Sequence, residues 1–257
     1  MKIGIISPYA DNEKGAAVVR VNSFRDYFRK QGHSVTVFSP ERGNEKAEGV
    51  IRYKGVWSLI SSLAGFDVVI GTSPPITHNV FALASCKLRG IPFILDSKDP
   101  FSFLISRMQK KSFLKILAYR AMEFFCHKLS SHIFVLTPRD KRNLIPRYAL
   151  PQEKISVIWN GSDPSVVRKD RAEGVGVRKK FSIPLNGKVL VYAGVIGGKD
   201  LDVLLEKAKP VIKKCHLLFL FTHDHSASAE AHHKKIMETV SSLKLGKRIR
   251  IAVNVPY

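Results

Sequence analysis

The chain has 257 residues, 45% of them hydrophobic, which is enough to bury the core of two modest domains or one large one. Its 42 basic and 21 acidic residues give a formal net charge of +21, which indicates an anionic partner: nucleic acid, an acidic membrane surface or a phosphorylated substrate. Three widely spaced cysteines, no signal-peptide pattern and no apolar run near the roughly 18 residues of a membrane span predict a cytoplasmic protein, soluble or peripheral to the membrane.

The chain begins with the pattern of a nucleotide-binding fold. An apolar strand is predicted at Lys2–Ser7, a helix from Gly15 to about Gln31, and a second strand at Ser34–Ser39. Small residues at Gly15 and Ala16 let a ligand approach the backbone, and a helix N-terminus favours a phosphate. No G-x-G-x-x-G is present, so the pattern is not a dinucleotide fingerprint, and a tight loop before a packed helix is the alternative.

A βαβ unit at residues 67–100 is the part around which the chain is organised. Strand Asp67–Ile70, helix Ile76–Leu88 and strand Phe93–Leu95 predict a parallel sheet, whose ligands lie beyond the carboxyl ends of its strands. The candidate site residues that follow these strands are Thr72, Ser73, Asp96, Lys98 and Asp99. The carboxylates could perform acid–base work or hold sugar hydroxyls, and the lysine could bind a phosphate. A loop salt bridge is the alternative.

Residues 101–131 combine apolar bulk with cations. Phenylalanines and leucines alternate with six basic residues, against the single acid Glu123; the basic residues are Arg107, Lys110, Lys111, Lys115, Arg120 and Lys128. This mixture is typical of a segment that lies on an anionic membrane surface. A core helix with a solvated basic face fits the same pattern.

The later chain repeats the αβ pattern. After strands at His132–Thr137 and Lys154–Trp159, a charged stretch at Arg168–Lys180 indicates a linker. Three further strands and two helices predict a second, smaller parallel-sheet domain: strands Lys188–Ala193, His216–Phe221 and Arg248–Val253, helices Asp200–Lys214 and Ala227–Leu245. We therefore expect an N-terminal domain at 1–167, a linker at 168–185 and a partial C-terminal domain at 186–257.

A glycine-rich loop opens the second domain. Gly194, Gly197 and Lys199 follow a strand and precede a helix, an arrangement that suits a phosphate. The P-loop pattern is not matched, and a plain turn is the alternative. Histidines at 223 and 225 have no fixed third ligand nearby, so we expect no metal site.

Taken in order, these stretches resemble the glycosyltransferase family 4 enzymes of GT-B fold, especially the branch that builds bacterial and archaeal surface polysaccharides. The stretches that carry the resemblance are GHSVTVFSP, DVVIGTSPP, IPFILDSKDP, HIFVLTPRD, EKISVIWNGSD and VLVYAGVIGGKDLDVLL. The resemblance implies an α/β, GT-B-like protein with two Rossmann-like domains facing across a cleft, the first for the acceptor and the second for a nucleotide-sugar donor. It also implies sugar transfer with retained anomeric configuration, without a bound metal or other cofactor.

The resemblance assigns roles to the candidate residues. Asp99 would be catalytic, and Thr72, Ser73, Asp96 and Lys98 would line the acceptor side. The donor phosphates would be contacted by Gly15, Ala16, Gly194, Gly197 and Lys199. The acceptor would be a glycan, often lipid-linked, so the protein would work at the inner face of the cell membrane.

The chain departs from the family pattern in three places. Lys98-Asp99 stands where the family usually has Arg-Asp, and Lys199 is the sole cation of the donor loop. The family's donor domain also continues beyond the point where this sequence stops, with paired glutamates that grip the donor, so we expect weak donor binding by this chain alone. Two alternatives follow: a non-catalytic or split-enzyme subunit that anchors a donor-binding partner chain, and, from the charge, a nucleic-acid-binding protein. The second is disfavoured because the basic residues form no recognition helix or aromatic-studded sheet.

Overall fold

The computed structural model describes residues 1–10, 16–41, 48–99, 113–161, 170–195, 201–222 and 227–253. The chain divides into two compact units, which we call unit 1 (Met1–Ser162) and unit 2 (Asp163–Tyr257).

Unit 1 is a seven-stranded sheet with helices. Its strands are β1 Lys2–Ile6, β2 Ser34–Pro40, β3 Val50–Tyr53, β4 Val68–Ser73, β5 Phe93–Ser97, β6 His132–Val135 and β7 Ile155–Val157. Its described helices are α1 Ala16–Lys30, α2 Val56–Ser62, α3 Thr77–Leu88, α4 Phe113–Leu129 and α5 Pro138–Tyr148. The strand order is β3-β2-β1-β4-β5-β6-β7, and every pairing is parallel.

The order of the strands fixes where a ligand can bind. From β1 the chain builds the sheet towards β2 and β3, then returns and builds in the other direction from β4 to β7. The reversal between β1 and β4 is a topological switch point, and ligands of open parallel sheets bind beyond the carboxyl ends of the strands there. The ends of β1, β4 and β5 therefore frame the expected site.

Alternating side chains of the strands fill two layers of core. Ile3 and Ile5 of β1 pack with Val21 of α1 on one face, while Ile6 packs with Phe38 in a larger cluster on the other. This alternation is what a two-residue strand period requires of a sheet covered on both faces. The apolar runs read from the sequence therefore belong to buried parallel strands, as predicted.

Three elements differ from the sequence prediction. Strand β4 continues through Thr72 and Ser73, which pair with Asp96 and Ser97 of β5 instead of starting a loop. Helix α2 was not predicted, because seven residues are too few for a clear helical period. The stretch expected to be a linker contains a helix, α6 Arg171–Lys180. Its N-terminus is capped by Asp170, whose side chain accepts a 3.0 Å hydrogen bond from the Glu173 backbone.

Unit 2 is a three-stranded parallel sheet. Its strands β8 Val189–Val195, β9 His216–Thr222 and β10 Ile249–Val253 lie in the order β10-β9-β8. The remaining helices are α7 Leu201–Ile212 and α8 Ala227–Ser242. Phe219 and Phe221 of β9 stack at 5.0 Å between ring centroids within this core. The strands and crossover helices of this unit were predicted from the sequence.

Candidate functional site

A buried ion pair organises the carboxyl edge of the unit 1 sheet. Arg20, in the second turn of α1, is 6% exposed, and Asp96, at the end of β5, is fully buried. The guanidinium donates to both carboxylate oxygens, with Nη2 to Oδ1 at 2.7 Å and Nε to Oδ2 at 3.0 Å. A two-point fork of this kind is the strong geometry for an arginine–carboxylate pair. The pair joins α1 to the strand that carries the candidate residues.

The remaining amino group of Arg20 reaches the loop after β7. Its Nη1 donates to the carbonyls of Ile158 and Trp159, at 3.1 and 3.4 Å, and to Oδ1 of Asn160 at 3.1 Å. The guanidinium carbon also lies 4.8 Å from the centre of the Phe24 ring. Three segments far apart in the sequence are thus held by one side chain.

Sequence reasoning did not single out Arg20 or Asn160. Arg20 could have been found from the sequence, because it is a cation in the apolar part of an amphipathic helix. It lies between the buried Val18 and Val21 and four residues before Phe24. Asn160 precedes a glycine, a pair that is typical of a turn, and the structure shows that its side chain accepts a hydrogen bond from the buried arginine.

The end of β4 is closed to solvent and held by hydrogen bonds from α3. Thr72 and Ser73 are 2% and 3% exposed, and the Thr72 hydroxyl has no hydrogen-bond partner among the described residues. The Asn79 amide of α3 donates to the Thr72 carbonyl at 2.8 Å and to the Pro75 carbonyl at 3.3 Å. The peptide bonds Ser73–Pro74 and Pro74–Pro75 are both cis. This turn is therefore shaped from inside by Asn79.

Replacing Gly71 by alanine is expected to destabilise this turn. A Cβ at Gly71 would collide with the Phe93 ring and with the Asn79 amide oxygen. Overpacking of a buried site costs about 1–3 kcal/mol, so the free energy of unfolding of unit 1 should fall by that amount. Urea unfolding followed by tryptophan fluorescence measures it. Gly161→Ala, at a site with open space around the new methyl group, is the control, and an equal loss there would contradict the steric argument.

Lys98 and Asp99 are the candidate acceptor residues that solvent reaches. The Lys98 backbone N–H donates to the Ser73 carbonyl at 3.2 Å, which ties the end of β5 to the end of β4. Burial lowers the pKa of the Lys98 ammonium, while the carboxylates of Asp96 and Asp99 oppose the shift. Asp99 is exposed, and no described residue hydrogen-bonds its carboxylate. Lys98 and Asp99 thus present one cation and one carboxylate beside the buried ends of β4 and β5.

Two hydrogen bonds between buried groups fix the side chain of Ser97, the residue before Lys98. The Ser97 hydroxyl lies 3.0 Å from His127 Nε2, and His127 Nδ1 lies 2.7 Å from the Glu123 carbonyl. A carbonyl can only accept, so Nδ1 carries the ring proton and Ser97 donates to Nε2. Burial lowers the pKa of His127, and its ring stacks on Tyr148 at 4.4 Å between centroids. The imidazole is thus a neutral structural support.

The predicted donor residues are only partly described. Gly15, Gly197 and Lys199 lie outside the described residues, as do the histidines at 223 and 225. Ala16 is the exposed first residue of α1. Gly194 lies within β8, where a Cβ would contact Tyr192. Within the described ranges, no group of three histidine, cysteine or acidic side chains could hold a metal ion.

Unit 1 is a parallel α/β sheet of Rossmann-like type, with charged side chains at the carboxyl edge where ligands of such sheets bind. The sequence profile of Glycosyltransferase Family 4 matches residues 17–166, more than half of the chain, and the chain therefore belongs to this family. A comparison with curated protein sequences finds no match.

Solved structures share the fold across the whole chain. Sucrose-phosphate synthase from Thermosynechococcus elongatus gives a TM-score of 0.73 at 13% identity, covering 99% of this chain and 70% of that one. HepE from Anabaena, in complex with UDP-glucose, gives 0.75 at 12%, covering 100% and 70%. A glycosyltransferase from Rickettsia africae gives 0.68 at 14%, covering 99% and 68%. The likeness establishes the fold, and the predicted α/β, GT-B-like class is confirmed.

Proposed function

We propose that this chain transfers a sugar from a nucleotide-sugar to a glycan acceptor in polysaccharide or cell-envelope synthesis. The observation that carries the proposal is the accessible Lys98-Asp99 pair, held at the carboxyl edge of unit 1 by the buried Arg20–Asp96 pair. Family membership supports sugar transfer as the reaction, and the complex of the similar HepE with UDP-glucose supports a nucleotide-sugar as donor.

Each candidate residue has a role in this proposal. Asp99 orients the acceptor hydroxyl and receives its proton as that oxygen bonds to the anomeric carbon of the donor sugar, while the bond from this carbon to the diphosphate breaks and the nucleoside diphosphate leaves. Lys98 lies on the acceptor side, with Thr72, Ser73 and Asp96 shaping the wall behind it. The donor phosphates are met by backbone and cationic groups: Gly15, Ala16, Gly194, Gly197 and Lys199. We also propose that the transferred sugar retains its anomeric configuration.

Incubation of the chain with UDP-glucose or UDP-N-acetylglucosamine and a polyprenyl diphosphate-linked N-acetylglucosamine tests the reaction. The expected result is release of UDP that depends on the acceptor, with a product whose anomeric proton coupling in NMR matches that of the donor. The same incubation is repeated with GDP-linked sugars in place of the UDP-sugars. Release of nucleotide at the same rate without acceptor would contradict transfer, and an inverted coupling would contradict retention.

The proposed acceptor is lipid-linked, and helix α4 offers a surface for the membrane. One side of α4 is buried through Glu123, Cys126 and His127. Its other side exposes six large apolar side chains, namely Phe113, Leu114, Leu117, Phe124, Phe125 and Leu129. Exposed cations lie at the two edges of this apolar side, at Lys115 and Arg120. An apolar face with cations at its edges is suited to an anionic lipid surface.

No helix in the described part of the chain is both long and apolar enough to cross a bilayer. From its exposed apolar side chains and the cations beside them, we propose that α4 lies on the membrane surface, at the inner face of the cell membrane. The alternative from the sequence is a core helix with a solvated basic face, and the exposed aromatic and leucine side chains favour the membrane surface instead.

Cosedimentation with vesicles measures this membrane contact. The chain is expected to bind phosphatidylglycerol vesicles and not phosphatidylcholine vesicles. High salt should release it from the phosphatidylglycerol vesicles. Each cation near an anionic bilayer contributes about 1 kcal/mol, so Lys115→Glu with Arg120→Glu should weaken binding at least about thirtyfold. Lys30→Glu with Lys54→Glu, at two exposed positions away from α4, changes the net charge equally and serves as the control. Equal loss in both double variants would show that net charge alone governs binding.

A further inference from the structure

A small polar cavity lies beside Lys98, between the end of β5 and helix α5. Its volume is about 100 Å³, and its lining residues are Ser97, Lys98, Asp140, Asn143, Leu144 and Arg147. The residues from α5 recur every three or four positions, so they share one face of that helix. The cavity has room for several water molecules, and therefore for one small polar group.

The hydrogen-bonding groups of this cavity are mostly donors. One oxygen of the Asp140 carboxylate is engaged at the start of α5, where Oδ2 accepts from the Thr137 backbone at 3.0 Å and from its hydroxyl at 2.7 Å. The Ser97 hydroxyl already donates to His127. Lys98 and Asn143 hydrogen-bond to no side chain or carbonyl of the described residues through their own side chains. Besides Oδ1 of Asp140, the uncommitted groups are thus the Lys98 ammonium, on the side of β5, and the Asn143 amide, on the side of α5.

Arg147 adds a second, oriented cation. Its Nη2 lies 3.9 Å from the Oε2 of Glu123, a residue only 1% exposed, and its guanidinium carbon lies 5.4 Å from the Tyr148 ring centre. These contacts orient the Arg147 side chain. The 3.9 Å separation between its Nη2 and Oε2 of Glu123 is too long for a strong hydrogen bond. A guanidinium has five N–H donors, more than these neighbours use, so donors remain for a ligand.

The position of Lys98 also favours an anion. A partly buried ammonium without an acceptor is disfavoured relative to one in water, and burial accordingly lowers the pKa of Lys98. An oxyanion in the cavity would supply acceptors to Lys98, Asn143 and Arg147 together. A tetrahedral group can accept from such different directions at once, whereas a planar carboxylate presents its two oxygens in one plane.

We propose that this cavity is a subsite for a phosphoryl group of the acceptor, next to the hydroxyl that Asp99 orients. The assignment of the phosphoryl group to the acceptor rests on the proposed function, while binding of a phosphoryl group by the cavity does not. A phosphoryl subsite at this position restricts the substrate class to acceptors that carry a phosphate or diphosphate close to the accepting sugar.

Titration of the ¹⁵N-labelled chain with inorganic phosphate, at constant ionic strength, tests the cavity directly. Saturable amide shifts are expected at Lys98, at residues 143–145 and at Arg147. Asn143→Asp, a change of nearly equal size that adds a negative charge, should raise the dissociation constant at least tenfold, and so should Arg147→Gln. Arg142→Gln, an exposed position on the same helix outside the cavity, is the control and should change it less than twofold. Because Arg147 also neighbours Glu123, the Asn143 variant keeps the test valid if Arg147→Gln folds poorly.

No saturable shifts, or equal weakening by the Arg142 control, would overturn the cavity as a phosphoryl site. The link to the acceptor is tested by transfer to two acceptors that differ only in a phosphoryl group. Asn143→Asp should raise KM for the phosphorylated acceptor alone; an equal rise for both would overturn the link. Absence of transfer to either acceptor by the parent chain would instead count against the proposed function and leave the phosphate titration as the measure of the cavity.

Discussion

Replacing Arg20 by methionine should lower the free energy of unfolding of unit 1 by about 3–5 kcal/mol. The substitution leaves the Asp96 carboxylate buried without its cation, and removal of one partner of a buried pair costs that amount. The two tryptophans of the chain, Trp57 and Trp159, both lie in unit 1. Urea unfolding followed by tryptophan fluorescence therefore reports on this unit alone.

Matched variants separate the ion pair from general damage to α1. Lys30→Met removes an exposed cation from the same helix and should change stability by less than about 1 kcal/mol. Arg20→Met combined with Asp96→Leu removes both charges and should recover part of the loss, because an apolar pair has no desolvation cost. An unfolding midpoint for Arg20→Met equal to that of the parent would show that the pair does not hold this edge together.

Asp99→Asn should lower the turnover of sugar transfer by about 10²–10⁴-fold while leaving the unfolding midpoint unchanged. Loss of a positioned proton acceptor has an effect of this size on the chemical step. Stability should not change, because Asp99 is exposed and no described residue hydrogen-bonds its carboxylate. Initial rates with UDP-sugar and acceptor, measured beside urea unfolding curves, give both quantities.

Glu153→Gln is the matched control, since it removes an exposed carboxylate from the same unit away from the sheet edge. Its turnover should equal that of the parent. A large loss of stability in Asp99→Asn would indicate instead that the carboxylate belongs to a structural ion pair. Unchanged turnover would remove Asp99 from the catalytic role proposed for it.

Most of the fold followed from local sequence patterns. The strands of both sheets are short apolar runs separated by helices, and such alternation leaves a parallel sheet as the compact solution. Elements were misjudged where local signals conflict with pairing. Thr72 and Ser73 look like the start of a loop, yet β5 offers them partners and β4 continues. The glycines of α6 suggested a linker, although Asp170 caps a helix there.

The candidate site was less predictable than the fold. Lys98 and Asp99 could be proposed because they follow a strand, a local signal that places them at the sheet edge. Arg20 could not be linked to Asp96, because the two are 76 positions apart and the pairing depends on how α1 packs over the sheet. The cavity on α5 was missed for the same reason, since Asn143 and Arg147 meet Lys98 only in the folded unit.

The span of the Arg20 contacts has a consequence for biosynthesis. Asn160 follows Arg20 by 140 residues, so at about 5–20 residues per second the ribosome needs roughly 7 to 30 seconds to supply it. During that time α1 carries a cation that its final neighbours cannot yet enclose. The Arg20 guanidinium therefore lacks part of its set of hydrogen-bond acceptors until the loop after β7 has been synthesised.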